Sequence, residues 1–340
     1  MTGGNNSRYF PTPIKYHMKI LICGSMAYDT IMVFPDQFKN HILADKIHKL
    51  SVAFLVPEMR REFGGTAGNI AYNLQLLDGQ PQIMATVGDD FSPYQGWLEQ
   101  HKIDRQHVKA VNGTFTAQAF ITTDIDDNQI TAFHPGAMQH AHANSVKDAK
   151  EVVLAIIAPD GRDAMFQHAK ECHEAGIPFM FDPGQGLPMF NGEELMYFIE
   201  MADYLAVNDY ESQVIQDKTG LTLEQLASKV KALIVTLGAE GSHIYADGQR
   251  HEIPCVKAEA IVDPTGCGDA YRAGLLYGIA RGWDWKTCGR LAATLGAIKI
   301  AHRGGQNHSP SREEIESIYS HALVQDAIKE DPSLSRSASS

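Results

Sequence analysis

Apolar and polar positions alternate most regularly in the second half of the chain. From Val152 onward, the short apolar runs "VVLAIIAP", "PFMFDPG", "YLAVN" and "ALIVTLG" are separated by segments of helical periodicity, beginning with "DAMFQHAKECHEAG". Strands that alternate with helices in this way predict a mostly parallel sheet with helices on both faces, an α/β fold. Ligands in such folds gather beyond the carboxyl ends of the strands. The loops after "VN", "VTLG" and "IVD" are therefore the places to look for chemistry.

The first half is less regular. "MKILICGSMAYDTIMVF" predicts a buried strand ending at Gly24 and then extended chain, and "VAFLVPEMRREFGG" reads as mixed short segments. A helix opens near Ala67, with Ile70, Leu74 and Leu77 on one face and Gly79 as its stop. "TFTAQAFITTDIDDNQITAF", Thr114 to Phe133, has β-rich residues on either side of an Asp-Asp-Asn turn, a hairpin signal that predicts a small β appendage. The first 17 residues and the final "EDPSLSRSASS" carry no periodicity and are expected to be loosely ordered tails. The expected organisation is a tail over 1–17, one domain over 18–318 with a β lid from roughly 29–62 and 114–133, and a helix end plus polar tail over 319–340.

Composition narrows the function. With 340 residues, 44% apolar, a sizeable core is feasible, and a net charge of −12 without a basic block argues against a nucleic-acid partner, which needs clustered Lys and Arg. A small-molecule ligand is expected instead. The five cysteines form no Cys-x-x-Cys pair and no zinc spacing, so they read as reduced cytosolic thiols. No signal peptide and no apolar run of about 18 residues occurs, so a cytoplasmic protein without a membrane partner is expected.

Candidate chemistry concentrates in "IVDPTGCGDAYRAGLLYGIARGW", Ile261 to Trp283. We read "AEAIVD" as the end of a strand, Pro264 and Gly266 as a turn, and the residues from Ala270 as a helix with small packing positions. Backbone N–H groups of Gly266, Cys267, Gly268 and Asp269 at such a helix start favour an anion, by roughly 0.3–1 kcal/mol at an exposed site. Asp269 inside an anion cradle has two readings: an acid that stabilises the helix dipole, or a base that takes a proton from an attacking hydroxyl, a role worth about 10²–10⁴ in rate.

The other two loops are compatible with phosphoryl transfer without requiring it. Asn208 and Glu211, three apart after a strand, suit either phosphate and Mg²⁺ contacts or a helix capping box. Thr236, Gly238 and Gly241 in "VTLGAEGS" suit either a nucleotide lying against the backbone or a tight hairpin. The chain contains no Gly-Lys pair, which removes the P-loop kinases.

Together these segments resemble the ribokinase-like (PfkB) carbohydrate and nucleoside kinases. The late signature of that family stands here as Asp263-Pro264-Thr265-Gly266-Cys267-Gly268-Asp269 followed by Tyr271, and the early one as "GGTAGN", Gly64 to Asn69. "GSMAYD", "NDYE" and "VTLGAEG" occur in family order, and the similarity extends from about Met18 to about Ile318. The resemblance implies an ATP-dependent phosphotransferase acting on an alcohol. Asp269 would be the base, with Gly266, Cys267 and Gly268 as the anion hole. Asp29, Gly64, Gly65 and Asn69 would hold the acceptor's sugar hydroxyls. Asn208, Glu211, Thr236, Gly238 and Gly241 would serve ATP, with part of the base pocket from the helix around Ala297 to Ile300. Mg²⁺ would be held near Glu211 through water, and a monovalent cation such as K⁺ near Asp263, Thr265 and the carbonyls of "RGGQN".

Departures from the pattern also matter. Cys267 replaces the usual Ala and Pro264 the usual Thr, and a thiol beside an anion site at a helix start is expected to have a lowered pKa. Arg272 follows the aromatic position. No Lys or Arg lies between Asn112 and His142, where several relatives carry a lid arginine, so either His134 or a residue from elsewhere assists, or the closed state relies on the cradle and metal. "FGGTAGNIAYNLQLLDG" resembles the bacterial nucleoside-kinase type, which favours adenosine as acceptor over a ribokinase-type sugar. Phe34, Phe54, Phe120 and Phe133 read either as a wall for a purine or as packing within the lid. Two other readings stay open: a sugar kinase of the same fold, and a non-catalytic nucleoside or sugar sensor. The lid edge is a candidate homodimer surface.

Overall fold

The computed structural model describes residues 18–42, 52–126 and 128–330. The expected first tail and most of the last one fall outside these residues.

Nine strands form the main sheet: β1 (Lys19–Cys23), β4 (Gln80–Val87), β5 (Asp104–Ala110), β8 (Val152–Ile157), β9 (Phe179–Phe181), β10 (Tyr204–Asn208), β11 (Ala232–Thr236), β12 (Ser242–Ala246) and β13 (Gln249–Ile253). Their order is β13-β12-β11-β10-β9-β8-β1-β4-β5, and every neighbour from β11 to β5 is parallel. The antiparallel hairpin β12–β13 ends the parallel run. Strand residues alternate between two cores, as a sheet buried on both faces requires. Ile20, Ile22, Leu154, Ile156 and Ile234 point to one side, against α1 (Thr66–Leu76), α7 (Cys267–Ala280) and α8 (Trp285–Ile300). Leu21, Ala155, Ile157, Phe179 and Phe181 point to the other, against α3 (Arg162–Ala175), α4 (Gly192–Met201) and α5 (Asp209–Thr219).

A second, four-stranded sheet in the order β3-β2-β6-β7 uses β2 (Ala27–Val33), β3 (Glu58–Gly64), β6 (Ala117–Thr123) and β7 (Gln129–His134). The hairpin read from the sequence is β6–β7, and its turn is closed by Asp124, which accepts the Asp126 and Asn128 N–H groups. Phe34 stacks on Phe38 and Phe54 lies tilted against both, ring centroids 4.7–5.8 Å apart, so Phe34 and Phe54 pack within the lid. Phe120 and Phe133 are instead exposed. The mixed segment is irregular over 52–57 and then forms β3, whose alternation is muted because neither face is deeply buried.

One expected strand is not formed. Ala258 to Asp263 is irregular, and the N–H groups of Val262 and Asp263 both go to the Ile300 carbonyl at the end of α8. β13 stays the outermost strand at that edge, and this apolar run takes its backbone partners from a helix end instead. Among the described residues no helix is long and apolar enough to cross a membrane. All five cysteines are free.

Candidate active site

The carboxyl ends of the parallel strands carry a row of polar groups. Asp160 follows β8, Asp182 follows β9, and Asn208 and Thr236 end β10 and β11 as register partners. The two loops singled out in the sequence, after "VN" and "VTLG", lie here. The third, 263–266, leads into α7 and is hydrogen-bonded through Asp263 to the end of α8.

At its centre is the start of α7. Gly266 takes the left-handed conformation, φ +77°, which glycine adopts without steric cost, and caps the helix. The Cys267 N–H donates to the Pro264 carbonyl at 3.1 Å, closing the turn. It is thus withdrawn from the anion hole read in the sequence. Gly266, Gly268 and Asp269 take no acceptor from the described residues, so their N–H groups and the helix dipole remain to hold an anion.

Asp269 stands in the first turn of α7 and is bound by Asn69 of α1, whose Nδ2 donates to Oδ2 at 2.8 Å. Burial pushes the Asp269 carboxyl up to about 7; the Asn69 hydrogen bond pulls it down, Asp182 raises it and Arg272 lowers it. A carboxyl poised there can accept a proton near neutral pH. Asn69 is itself held: its Oδ1 accepts from Gln306 Nε2 at 3.1 Å, and Gln306 is fixed by the Tyr94 hydroxyl and the Trp97 indole. Asn69 Nδ2 keeps a second N–H besides the one given to Asp269, so its bond to the carboxylate and the predicted contact with an acceptor hydroxyl are compatible.

Asp29 lies on β2 in register with Glu62 of β3. Burial first, then Glu62 and Asp263, raise its carboxyl to about 6. A Cβ at Gly64 would stand 2.5 Å from Asp29 Oδ2 and displace that carboxylate, and Gly65 adopts φ +85° beneath Ser25 and Met26. The two glycines and Asp29 therefore form one close-packed corner where lid and sheet meet, next to the start of α1. Thr66 bridges this corner to the body through Ser25 and the Pro159 carbonyl.

Asn208 and Glu211 form the complete capping box of α5: Asn208 Oδ1 accepts the Glu211 N–H at 2.7 Å and Glu211 Oε2 accepts the Asn208 N–H at 2.8 Å. The cap does not remove Glu211 from the site. Its carboxyl is raised, chiefly by burial and then by Asp182, while Asn208 and Arg272 lower it. Thr236, Gly238 and Gly241 build the β11–β12 hairpin, the bland alternative read from the sequence. Gly241 is required by the Ile253 carbonyl, 2.1 Å from where its Cβ would be, whereas Gly238 faces open space.

Two residues had no assigned role in the sequence reading. Asp182 and Arg272 form a buried ion pair, Nε to Oδ2 at 2.9 Å, each less than a tenth exposed. The Arg272 guanidinium lies over the first turn of α7, with Nη1 3.6 Å from the position of a Cβ on Gly268. Burial opposes its charge, and Asp182, Glu211 and Asp269 around it more than restore that charge. Asp182 could have been found as the polar residue ending a strand in "FMFDPG". Arg272 gives no such signal. His134, by contrast, is exposed at the end of β7.

The Cys267 thiol contradicts its expectation. Burial pushes it up to about 11, with Lys299 lowering it and Asp263 and Asp269 raising it. Desolvation and two nearby carboxylates outweigh the helix start.

A groove of about 850 Å³ lies between α8, the 257–259 segment and α9 (Arg312–Glu330), with Lys257, Ala297, Ile298, His302 and Ile318 in its walls.

Comparison with known proteins accords with this geometry. The family model for the pfkB family carbohydrate kinases matches residues 25–312. A nucleoside kinase of Methanocaldococcus jannaschii is 31% identical over 273 residues, 80% of this chain and 90% of that protein. One of Methanothermobacter thermautotrophicus is 33% identical over 294 residues, 84% and 94% of the two chains. Among solved structures, the Burkholderia thailandensis nucleoside kinase in complex with inosine superposes with a TM-score of 0.82 at 52% identity, covering 89% of this chain and 97% of that one. A start of α7 arranged to hold an anion beside a near-neutral carboxyl, matched by a family model across most of the chain, places this protein in the PfkB family of carbohydrate kinases, phosphotransferases that act on an alcohol group, on the ribokinase-like fold.

Proposed function

We propose that the chain is an ATP-dependent purine nucleoside kinase that phosphorylates the 5′-hydroxyl of its acceptor. The observation that carries the reading is the Asn69–Asp269 pair at the start of α7: a carboxyl near pH 7, beside uncommitted backbone N–H groups. Asp269 takes the proton of the attacking hydroxyl, and the N–H groups of Gly266 and Gly268 stabilise charge on the transferring phosphoryl group. Arg272, the buried cation over that turn, supplies the positive charge that the β6–β7 hairpin lacks. Asp29 and the Gly64–Gly65 corner receive the ribose hydroxyls. Adenosine is the acceptor favoured by the sequence, and inosine is bound by the Burkholderia relative.

ATP lies across the carboxyl ends of β10 and β11, with its base in the groove formed by Ala297 and Ile298. The ADP-inosine complex of the Burkholderia enzyme, 53% identical, supports a nucleotide beside the acceptor. The residues fit Mg²⁺ as well. Asp182 Oδ1 is buried and without a hydrogen-bond partner, and Glu211 stands beside it. No group of three or more His, Cys, Asp or Glu among the described residues could hold a metal ion by itself. This suits an ion that keeps several waters and is bound by one or two carboxylates plus substrate phosphates. Glu211 and Asp182 would hold it, and bound Mg²⁺ would neutralise phosphate charge.

The test is ADP formation from Mg-ATP with adenosine, inosine, guanosine, ribose, fructose and 5′-deoxyadenosine. Turnover with purine nucleosides and none with 5′-deoxyadenosine supports the reading; turnover with free sugars alone overturns it. The exposed Phe133, Ile130 and Met59 of the lid support a homodimer through this sheet, and sedimentation velocity of wild type against Phe133→Ser checks it.

A further inference from the structure

The family resemblance implies a monovalent cation beside Asp263, but the residues there do not fit one. Both carboxylate oxygens of Asp263 are committed to backbone N–H groups, Oδ1 to Thr265 and Oδ2 to Gly304, each at 2.8 Å. Its main-chain carbonyl accepts from Lys299 Nζ at 2.8 Å, and the same ammonium donates to the His302 carbonyl at 2.9 Å. Lys299 belongs to the last turn of α8 and has no exposed surface. Its Cε would be 3.7 Å from a Cβ on Gly266, the cap of α7, and Gly305 packs against that same point at 3.1 Å. The ammonium therefore lies between the 263–266 turn and the 302–305 loop, on the carbonyls that a bound ion would use. An ammonium and a potassium ion are close in size, and carbonyl oxygens hold both.

We propose that Lys299 is the built-in cation of this turn, taking the place of K⁺, so that the enzyme works without a monovalent ion. It acts as a positioning residue: through the Asp263 and His302 carbonyls it fixes the two segments that shape the anion cradle, and its ammonium places a positive charge behind Gly266. A covalently attached ammonium cannot be diluted away, which removes any dependence of the cradle on the ionic composition of the solvent.

The experiment compares KCl with choline chloride at equal ionic strength, on protein freed of K⁺, by two readouts: ADP formation with Mg-ATP and inosine, and the ligand-free melting temperature. Wild type is expected to show rates within about twofold and no change in melting temperature between the two salts. Lys299→Met is expected to lose activity by about tenfold or more in choline chloride and to regain it, with a rise in melting temperature, in KCl or NH₄Cl but not LiCl. Saturable, manyfold activation of wild type by KCl overturns the proposal, and so does a Lys299→Met protein with wild-type rate and melting temperature in choline chloride. The wild-type arms decide even if the variant does not fold. The rate arm rests on the nucleoside-kinase reading and the melting arm does not: no ADP formation in any salt counts against that reading, whereas activation by K⁺ counts against Lys299.

Discussion

Asn69 and Asp269, 200 residues apart in sequence, are joined by a 2.8 Å hydrogen bond from the amide to the carboxylate. The amide donates to the charged form, so it offsets part of the burial that holds Asp269 near pH 7. Replacing Asn69 with Leu should move the acid limb of kcat/KM to higher pH. The rate should therefore fall more at pH 6.5 than at pH 8.5. An equal loss at both pH values would show that Asn69 acts on acceptor binding alone.

The raised Asp269 carboxyl also carries a stability consequence. A group whose folded pKa lies above its unfolded one contributes stability below the unfolded value and loses it as pH rises, here from 3.8 through about 7. Asp269→Asn should accordingly melt higher than wild type at pH 8, with the gap closing toward pH 5. Scanning calorimetry at the two pH values checks this, and a variant that melts lower at pH 8 would mean that the ionised carboxylate is well stabilised.

Asn208 can be tested for its two roles separately. Asn208→Asp keeps an N-cap acceptor, and caps of these two types are about equally good. Its melting temperature should stay near wild type. The added negative charge beside the phosphates should lower kcat/KM for Mg-ATP by about tenfold, an electrostatic loss of roughly 1.4 kcal/mol. Wild-type kinetics in this variant would leave Asn208 as a cap and nothing more.

With its thiol pushed up to about 11, Cys267 should be slow to react with iodoacetamide at pH 7.5, while the exposed Cys255 reacts first. Peptide mapping after partial alkylation reads the order. Fast labelling of Cys267 with loss of activity would restore the expectation drawn from its place at the helix start.

Much of this architecture is legible in the sequence because it is written in local signals. The α1 helix, the β6–β7 hairpin and the strands from β8 to β11 follow from periodicity and turn residues. The start of α7 at Gly266–Asp269 follows from glycine and acid placement. What escaped depends on contacts between distant segments. Arg272 finds Asp182 across 90 residues, and Lys299 finds the Asp263 carbonyl from the far end of the next helix. The Cys267 thiol was misread because its helix start was visible and its burial was not. Ala258–Asp263 has the composition of a strand, yet its Val262 and Asp263 N–H groups bond the end of α8. In each case the tertiary environment, not the local pattern, decides the outcome.

The central claim is that Asp269 is the base for phosphorylation of a nucleoside hydroxyl. Its most direct test is the pH dependence of kcat/KM for Mg-ATP-driven phosphorylation of inosine and adenosine, in wild type and Asp269→Asn. The account predicts an acid limb with an apparent pKa near 7 in wild type and a loss of about 10²–10⁴ in the variant across the range. A flat wild-type profile from pH 5 to 9, together with a variant that retains most of its activity, would contradict it.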